Sequence, residues 1–158
     1  MSQLASFTFI KESDLPFLGF WSKPKSRLLR RPEQRFDQYL AARSLREYIC
    51  DTDGFYVALC FVWIEHENPA FTRNQDPVAG TLIKNLGGAH WLLRADDRKF
   101  LVSIATPIAS TEWEAIIPVI AKDHYDGLNP DIFEKARAFT AARCAELHND
   151  EALLVSIG

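Results

Sequence analysis

Apolar residues in the first third of the chain fall into two patterned stretches. Residues 7–9 (Phe-Thr-Phe) alternate apolar and polar side chains and predict a first strand, which ends at the turn signal Ser-Asp-Leu-Pro of residues 13–16. Two prolines and a group of like charges oppose regular structure between residues 19 and 32. From Pro32 to near Cys50, apolar residues recur three and four positions apart behind a proline suited to a first helical turn, which predicts an amphipathic helix.

The middle of the chain carries a continuous apolar run. Residues 55–64 read Phe-Tyr-Val-Ala-Leu-Cys-Phe-Val-Trp-Ile, and this aromatic and β-branched composition predicts a central strand covered on both faces. Residues 78–86 are predicted to form a strand or a short helix. The sequence Asn-Leu-Gly-Gly at 85–88 then supplies a turn.

Further strands are predicted in the second half of the chain. Residues 89–94 and 99–106 are strand-like and flank the polar residues 95–98, a pattern typical of a β-hairpin. Residues 152–157 predict a short final strand.

Two helices are predicted between the hairpin and the final strand. Ser110 or Thr111, followed by Glu114, resembles an N-terminal capping arrangement and begins a helix that runs to about residue 120, with Pro118 as an awkward interior residue. Asn129 can cap a second helix that has Pro130 at its first position and runs towards residue 148.

The order of these elements predicts an α+β fold. We expect a single globular domain over residues 1–158, with a mainly antiparallel sheet whose central strand is the aromatic-rich run and which packs against about three helices. A length of 158 residues and a hydrophobic content of 47% fit one domain of ordinary composition.

The chain lacks the signals of secreted and membrane proteins. No apolar run approaches the roughly 20 residues needed to cross a bilayer, and residues 1–10 do not form a signal peptide. Cys50, Cys60 and Cys144 are odd in number and form no CxxC pair, which argues against a disulfide framework. We expect a cytoplasmic protein whose thiols are buried and inert, with Cys50 the most open to reaction.

Charge is unevenly distributed along the chain. Eight of the 18 basic residues lie between Lys23 and Arg46 with only two acidic ones, so this segment carries +6 and the remainder, with 19 acids and ten bases, carries −9. Phe20 and Trp21 are able to stack on bases beside the basic segment, which makes nucleic-acid binding one alternative. The overall net charge of −3, a pI near 5.8 and the absence of RRM, KH and helix-turn-helix signatures favour a solvated or internally paired segment instead.

No metal or cofactor motif is complete. Residues 51–54 (Asp-Thr-Asp-Gly) are similar to the start of an EF-hand, but Tyr56 stands where that loop requires glycine and Val62 where it requires glutamate. In a continuing strand, the two carboxylates of Glu65-His66-Glu67 point away from the imidazole, so the three do not hold one ion. P-loop, GxGxxG and HExxH motifs are absent from the sequence. We therefore predict no metal and no cofactor.

Catalytic candidates are incomplete. There is no Gly-x-Ser-x-Gly elbow, and the best local acid/base cluster is Asp123-His124 with Asp126, where a helix dipole also stabilises a charged histidine. The enzymatic alternative is a small hydrolase that uses His124 or His66 with neighbouring carboxylates in a cleft assembled by the fold. It depends on a pocket in which side chains converge, drawn from the histidines His66, His90, His124 and His148.

The missing reactive motif and the segregated charge favour a non-enzymatic protein-binding domain. Glu112, Glu114, Asp123 and Asp126 are predicted to form an acidic surface for a basic partner, with Trp113 as an aromatic anchor. A concrete form of this hypothesis is a bacterial immunity protein that covers the basic active site of a cognate toxin such as a nuclease.

Overall fold

The first and last strands of the chain form the centre of a four-stranded antiparallel sheet. The computed structural model describes residues 3–21, 32–71, 89–121 and 127–158. Its strands lie in the order β2-β1-β4-β3, and every neighbouring pair is antiparallel. The strands are β1 (Ala5–Lys11), β2 (Arg46–Cys50), β3 (Ala89–Arg94) and β4 (Glu151–Ile157).

Six α-helices and two 3-10 helices connect the strands in the described ranges. The 3-10 helices follow β1 and β3 directly, at Glu12–Asp14 and Ala95–Leu101. The α-helices are α1 (Leu15–Trp21), α2 (Pro32–Arg43), α3 (Gly54–Glu67), α4 (Val102–Ala105), α5 (Ser110–Ala121) and α6 (Pro130–Ala145).

The first face of the sheet carries the main hydrophobic core. Alternate residues of the strands point to this face, where α3 and α6 pack over them and α5 packs against both helices. Phe61 of α3 stacks on Trp91 of β3 with ring centroids 4.9 Å apart, and Phe7 of β1 meets Phe139 of α6 edge to face at 5.4 Å. These ring contacts fix how the helices sit on the sheet.

The apolar run at residues 55–64 is helical, so the prediction of a central strand there is wrong. It forms most of α3, whose N-cap is Asp53: the side-chain carboxylate accepts a hydrogen bond from the Phe55 N–H at 3.0 Å. Helices that are apolar all round are buried, and eight residues of α3 are buried between the sheet and other helices. Periodicity alone does not separate such a helix from a buried strand.

The predicted hairpin is also wrong in its second half. Residues 89–94 form β3, but the residues after it form a 3-10 helix and α4. The Asp97 carboxylate accepts a hydrogen bond from the Arg94 N–H at 2.7 Å and starts this helical turn. Leu101 and Ile104 are buried three positions apart, which is helical rather than strand spacing.

The predicted helix from Pro32 to near Cys50 is shorter than expected. It ends at Arg43, and the residues that follow form β2. In β2 the exposure alternates, with Glu47 and Ile49 exposed and Tyr48 partly covered. This period of two is the strand signal that the helical spacing obscured.

The remaining predictions about the fold have mixed outcomes. The α+β class, the mainly antiparallel sheet, the first and last strands and the two late helices are confirmed, with Pro118 inside α5 and the Asn129 carboxamide capping α6. The residues predicted as a strand or helix at 78–86 and as a turn at 85–88 lie outside the described residues. No helix in the described ranges is long and apolar enough to span a membrane.

Candidate functional site

The second face of the sheet is divided into an apolar half and a polar half. Helices α1 and α2 cover the apolar half and bury a separate small cluster there: Ile10, Leu15, Leu18, Phe36, Leu92, Ala152 and Leu154. The polar half presents Ser6, Thr8, Glu47, His90 and Ser156. A hydrophobic core seldom contains so many polar side chains, so this half of the second face is not part of a core.

A cavity of about 430 Å³ lies over the polar half, between the sheet and α2. Its size falls in the range of about 300–1,000 Å³ that is typical of sites for small ligands. We call it the sheet-face pocket. Its lining residues are Ser6, Thr8, Phe36, Asp37, Leu40, Ala41, Ser44, Glu47, His90 and Ser156.

Strand register positions the polar side chains of the sheet-face pocket. Thr8 lies directly opposite Glu47, and His90 directly opposite Ser156, so each pair shares one face of the sheet. The Thr8 hydroxyl donates to Glu47 Oε1 at 3.5 Å, and His90 Nδ1 lies 2.9 Å from Ser156 Oγ. These groups therefore stand on a hydrogen-bonded ladder, which holds them more rigidly than a loop does.

Helix α2 supplies the opposite wall. Phe36 and Leu40 are spaced four residues apart, as are Asp37 and Ala41, so the two rows lie on one side of the helix, and Ser44 follows its last residue. Phe36 is 5% exposed and also packs in the apolar cluster of the second face. The wall is thus apolar at its base and polar at its rim.

Electrostatically, the pocket is a site for positive charge. Asp37 and Glu47 are exposed carboxylates at its rim, and His90 is the one other ionisable side chain among the described lining residues. The hydroxyls of Ser6, Thr8, Ser44 and Ser156 add further hydrogen-bonding oxygens. This set matches a cationic hydrogen-bond donor that brings an apolar stem against Phe36 and Leu40.

The His90–Ser156 pair has the residue types of a nucleophile and a base, but its surroundings do not match an acyl-transfer site. Such a site needs backbone N–H groups aimed at a developing oxyanion. Ser156 lies on β4, between β1 and β3, and pairs with Ser6 on one side and His90 on the other. Its neighbouring N–H groups are therefore used in the sheet.

The acidic surface predicted from the sequence is only partly present in the described residues. Glu112 and Glu114 are exposed on α5, whereas Asp123 and Asp126 lie outside the described ranges. Trp113 is 0% exposed and packs against Phe133 of α6 at 4.9 Å, so its prediction as a surface anchor is wrong. Trp113 lies on the apolar stripe of the helix that faces the core, whereas its two neighbours lie on the exposed side.

The histidines considered as catalytic residues lie on different elements. His66 is exposed at the end of α3, with Nδ1 3.4 Å from Glu67 Oε1, and His148 is exposed after α6. His90 lines the sheet-face pocket, and His124 lies outside the described residues. Within the described part of the chain, no three histidine, cysteine or carboxylate side chains are arranged to hold a metal ion.

All three cysteines are buried free thiols. Burial raises the pKa of Cys144 to about 12 and raises that of Cys60 as well, which keeps both thiols protonated. Cys50 is 1% exposed, with Sγ 3.1 Å from Thr52 Oγ1, so the structure does not show the partial exposure on which its expected reactivity rests.

Two basic side chains at the end of the 23–46 segment form ion pairs within the chain. Arg43 contacts Asp14 at 3.2 Å, and Arg46 binds both carboxylate oxygens of Glu151 at 2.7 Å while its guanidinium lies 3.9 Å from the centre of the Phe9 ring. The hydrogen bonds that Arg46 donates to Glu151 hold the pKa of Glu151 below its usual range, and the same bonds raise the pKa of Arg46. The residues from Lys23 to Arg31 lie outside the described ranges.

The sequence contains a weak signal for the pocket. Thr8 and Ser156 are polar residues inside largely apolar strands, and each is flanked by buried apolar neighbours. Tertiary packing decides which helix covers them and makes Glu47 part of a strand, and residue spacing does not reveal that packing.

The chain matches no protein-family model, and no curated protein sequence or solved structure is significantly similar to it. The geometry of the sheet-face pocket is therefore the basis for a functional proposal.

Proposed function

We propose that this chain is a non-enzymatic recognition domain that binds a basic side chain of a partner protein in the sheet-face pocket. The observation that supports this most directly is the lining: two carboxylates, four hydroxyls and one histidine over an apolar base. A ligand that enters must bring positive charge or hydrogen-bond donors to satisfy these oxygens.

Arginine and lysine fit such a lining in two ways. Their long stems are apolar and can lie against Phe36 and Leu40, while the charged head reaches Asp37 and Glu47. Hydrogen bonds between charged groups contribute about 1.5–3 kcal/mol each when they exclude water. Arginine is the better match, since its planar head donates to several oxygens at once.

A titration with a minimal probe tests the proposal. Acetylated arginine amide should shift the backbone NMR signals of Thr8, His90 and Ser156, and acetylated glutamine amide should leave them in place. Shifts confined to other parts of the chain, or equal shifts with both probes, contradict a cation site in the pocket.

A pair of variants on one helix separates pocket binding from general surface attraction. Ala41 and Ala42 are both exposed on α2, but only Ala41 lines the pocket. Ala41→Trp should fill the cavity and abolish the probe-induced shifts, whereas Ala42→Trp should retain them. Loss of binding in both variants, with intact spectra, places the interaction outside the cavity.

Glu112 and Glu114 remain a second proposed contact for a basic partner, on the opposite side of the sheet. Their charge is exposed at the start of α5, which has no basic residue of its own. Substitution of lysine for both glutamates reverses the charge of this surface and tests it independently of the pocket. If the double variant captures a basic partner protein as well as the wild type does, recognition is assigned to the pocket alone.

A specific biological form of the proposal is that this chain is an immunity protein that neutralises a basic toxin. Small size, acidity and the cation-accepting pocket support this form, because a toxin active site that binds nucleic acid presents arginine and lysine. A gene for a basic toxin beside the gene for this chain, and rescue of growth when both are expressed, are the expected results. Growth arrest in the presence of the chain contradicts this form.

A small hydrolase is the second candidate, and the 2.9 Å contact between His90 and Ser156 is the observation that favours it. Turnover of an activated ester that disappears in Ser156→Ala, while the variant keeps the NMR spectrum of the folded chain, supports the enzyme. Equal ester turnover by the wild-type chain and Ser156→Ala rules out a Ser156 nucleophile.

A further inference from the structure

Strand β2 is an edge of the sheet with an ordered pattern of exposed side chains. In the described residues it pairs only with β1. Leu45, just before the strand, is 44% exposed, Glu47 is exposed and Ile49 is 59% exposed, while the residues between them are partly covered. The edge thus presents a row of apolar, acidic and apolar side chains along one face.

Two common forms of protection against pairing, lysine and proline, are absent from the residues of this edge strand. Edge strands are usually blocked by lysine, proline or a bulge. None of the five residues of β2 is lysine or proline, and its one basic side chain, Arg46, is bound to Glu151. The acidic Glu47 is the charge that this row presents outward.

The side of β2 that faces the main core is held in place by cation contacts. The Arg46 guanidinium lies over Phe9, and the Arg143 guanidinium lies 4.2 Å from the centre of the Tyr48 ring. A strand fixed in this way has little conformational entropy left to lose when another strand pairs with it.

We infer that β2 accepts an extended segment of the partner as a fifth strand. This inference rests on the proposed function, because it takes the partner to be basic. Directly opposite side chains on neighbouring strands contact each other, so the row on β2 matches a segment with a basic residue between two apolar ones at alternate positions. Since Glu47 also lines the sheet-face pocket, the basic side chain opposite it lies at the pocket rim.

Synthetic peptides provide the probe. The heptapeptide Thr-Val-Thr-Lys-Thr-Val-Thr, blocked at both ends, places valine, lysine and valine on one face of a strand. We expect it to shift the β2 amide signals and to slow their hydrogen exchange. Glutamate in place of the peptide lysine should weaken binding at least about tenfold, because it faces Glu47.

Amide methylation distinguishes strand pairing from charge attraction. In a strand, alternate N–H groups point to opposite edges, so methylation of one alternate set should abolish binding while methylation of the other set leaves it within about threefold. Equal binding of both methylated peptides and the parent peptide overturns strand addition. If arginine amide still occupies the pocket in that case, the proposed function stands without this inference.

Variants of exposed residues complete the test without disturbing the core. Ile49→Lys should abolish peptide binding, and Val119→Lys on α5, where the valine is 49% exposed, should retain it. A wild-type dimer that Ile49→Lys converts to monomer in light scattering overturns the inference in favour of a second copy of this chain. Equal peptide binding by Ile49→Lys and the wild type also overturns it.

Discussion

The two faces of the sheet use the same strands for different purposes. On the first face, Phe7, Trp91 and Leu153 are 0–1% exposed under three long helices. On the second face, α1 and α2 cover one half, and the other half leaves hydroxyls, a histidine and Glu47 around a cavity. Burial of apolar area stabilises the fold, whereas the polar groups of the second face line a cavity and add little buried apolar area. The first face therefore carries most of the apolar burial that stabilises the fold, and the second face carries the pocket on which the proposed recognition rests.

The largest effect is expected from truncation on the first face. Trp91→Ala removes a ring that is 1% exposed and stacked on Phe61, and should lower the free energy of unfolding by about 3–5 kcal/mol. Denaturant unfolding followed by circular dichroism measures this loss. A loss below about 1 kcal/mol contradicts the assignment of the first face as the main core.

The next largest loss of stability is expected when the ion pair between Arg46 and Glu151 is broken. Arg46→Met leaves the Glu151 carboxylate without its partner and should cost about 2–3 kcal/mol, while Arg43→Met, which breaks a more exposed pair with Asp14, should cost less than about 1 kcal/mol. Thermal unfolding of the two variants provides the comparison. Equal losses contradict a special role for the Arg46 pair.

Acidification should weaken the same pair. Because Arg46 lowers the pKa of Glu151 in the folded chain, the pair contributes its full stability above the unfolded carboxyl pKa, and this contribution is lost as pH falls through the lower folded value. The free energy of unfolding of Glu151→Gln should therefore depend less on pH in that window. If the free energy of unfolding of Glu151→Gln falls with acid as steeply as that of the wild type, other carboxylates dominate the loss of stability at low pH. Glu134, whose pKa is lowered by hydrogen bonds from Arg137, contributes in the same direction.

A smaller loss of stability is expected from a substitution at Gly54, where the start of α3 contacts the ends of β1 and β4. The Gly54 N–H donates to the Gln3 carbonyl oxygen at 2.7 Å, and a β-carbon on Gly54 comes within 3.0 Å of the Leu4 backbone and the Ile157 side chain. Gly54→Ala should therefore destabilise the chain by about 1–3 kcal/mol in denaturant unfolding, despite the higher helix propensity of alanine. Increased stability shows that this contact relaxes freely.

The smallest effect on stability is expected on the polar half of the second face. Ser156→Ala removes the hydroxyl that contacts His90 and should change the free energy of unfolding by less than about 1.5 kcal/mol. The affinity for arginine amide should fall in the same variant, since the hydroxyl lines the pocket. A loss comparable to that of Trp91→Ala contradicts the division between the faces.

The two faces also differ in how far the sequence predicted them. Alternation at Phe7 and Phe9 located β1, and Asn129 with Pro130 located the start of α6, because caps and strand alternation are local properties. The run in α3 was assigned to a strand because a helix buried on every side loses the periodicity that identifies it. Asp53, the N-cap of α3, lies in the Asp-Thr-Asp-Gly stretch that is similar to the start of an EF-hand.

The site was less predictable than the fold. The α5 residues chosen from the sequence were selected for charge, and Trp113 between them faces the core. Glu47 was assigned to a helix, and His90 and Ser156 are 66 positions apart in sequence. A pocket formed across four strands and a helix depends on strand order and register, which charge and spacing along one chain do not encode.

Neutralisation of two pairs of carboxylates tests the central claim most directly. The affinity for acetylated arginine amide is measured by NMR titration for Asp37→Asn/Glu47→Gln on the second face and for the matched Glu112→Gln/Glu114→Gln on α5. We predict that the first double variant loses at least about tenfold in affinity, as loss of charged hydrogen bonds implies, and that the second stays within about twofold. Equal affinity of the first double variant and the wild type contradicts recognition of a basic group by the sheet-face pocket.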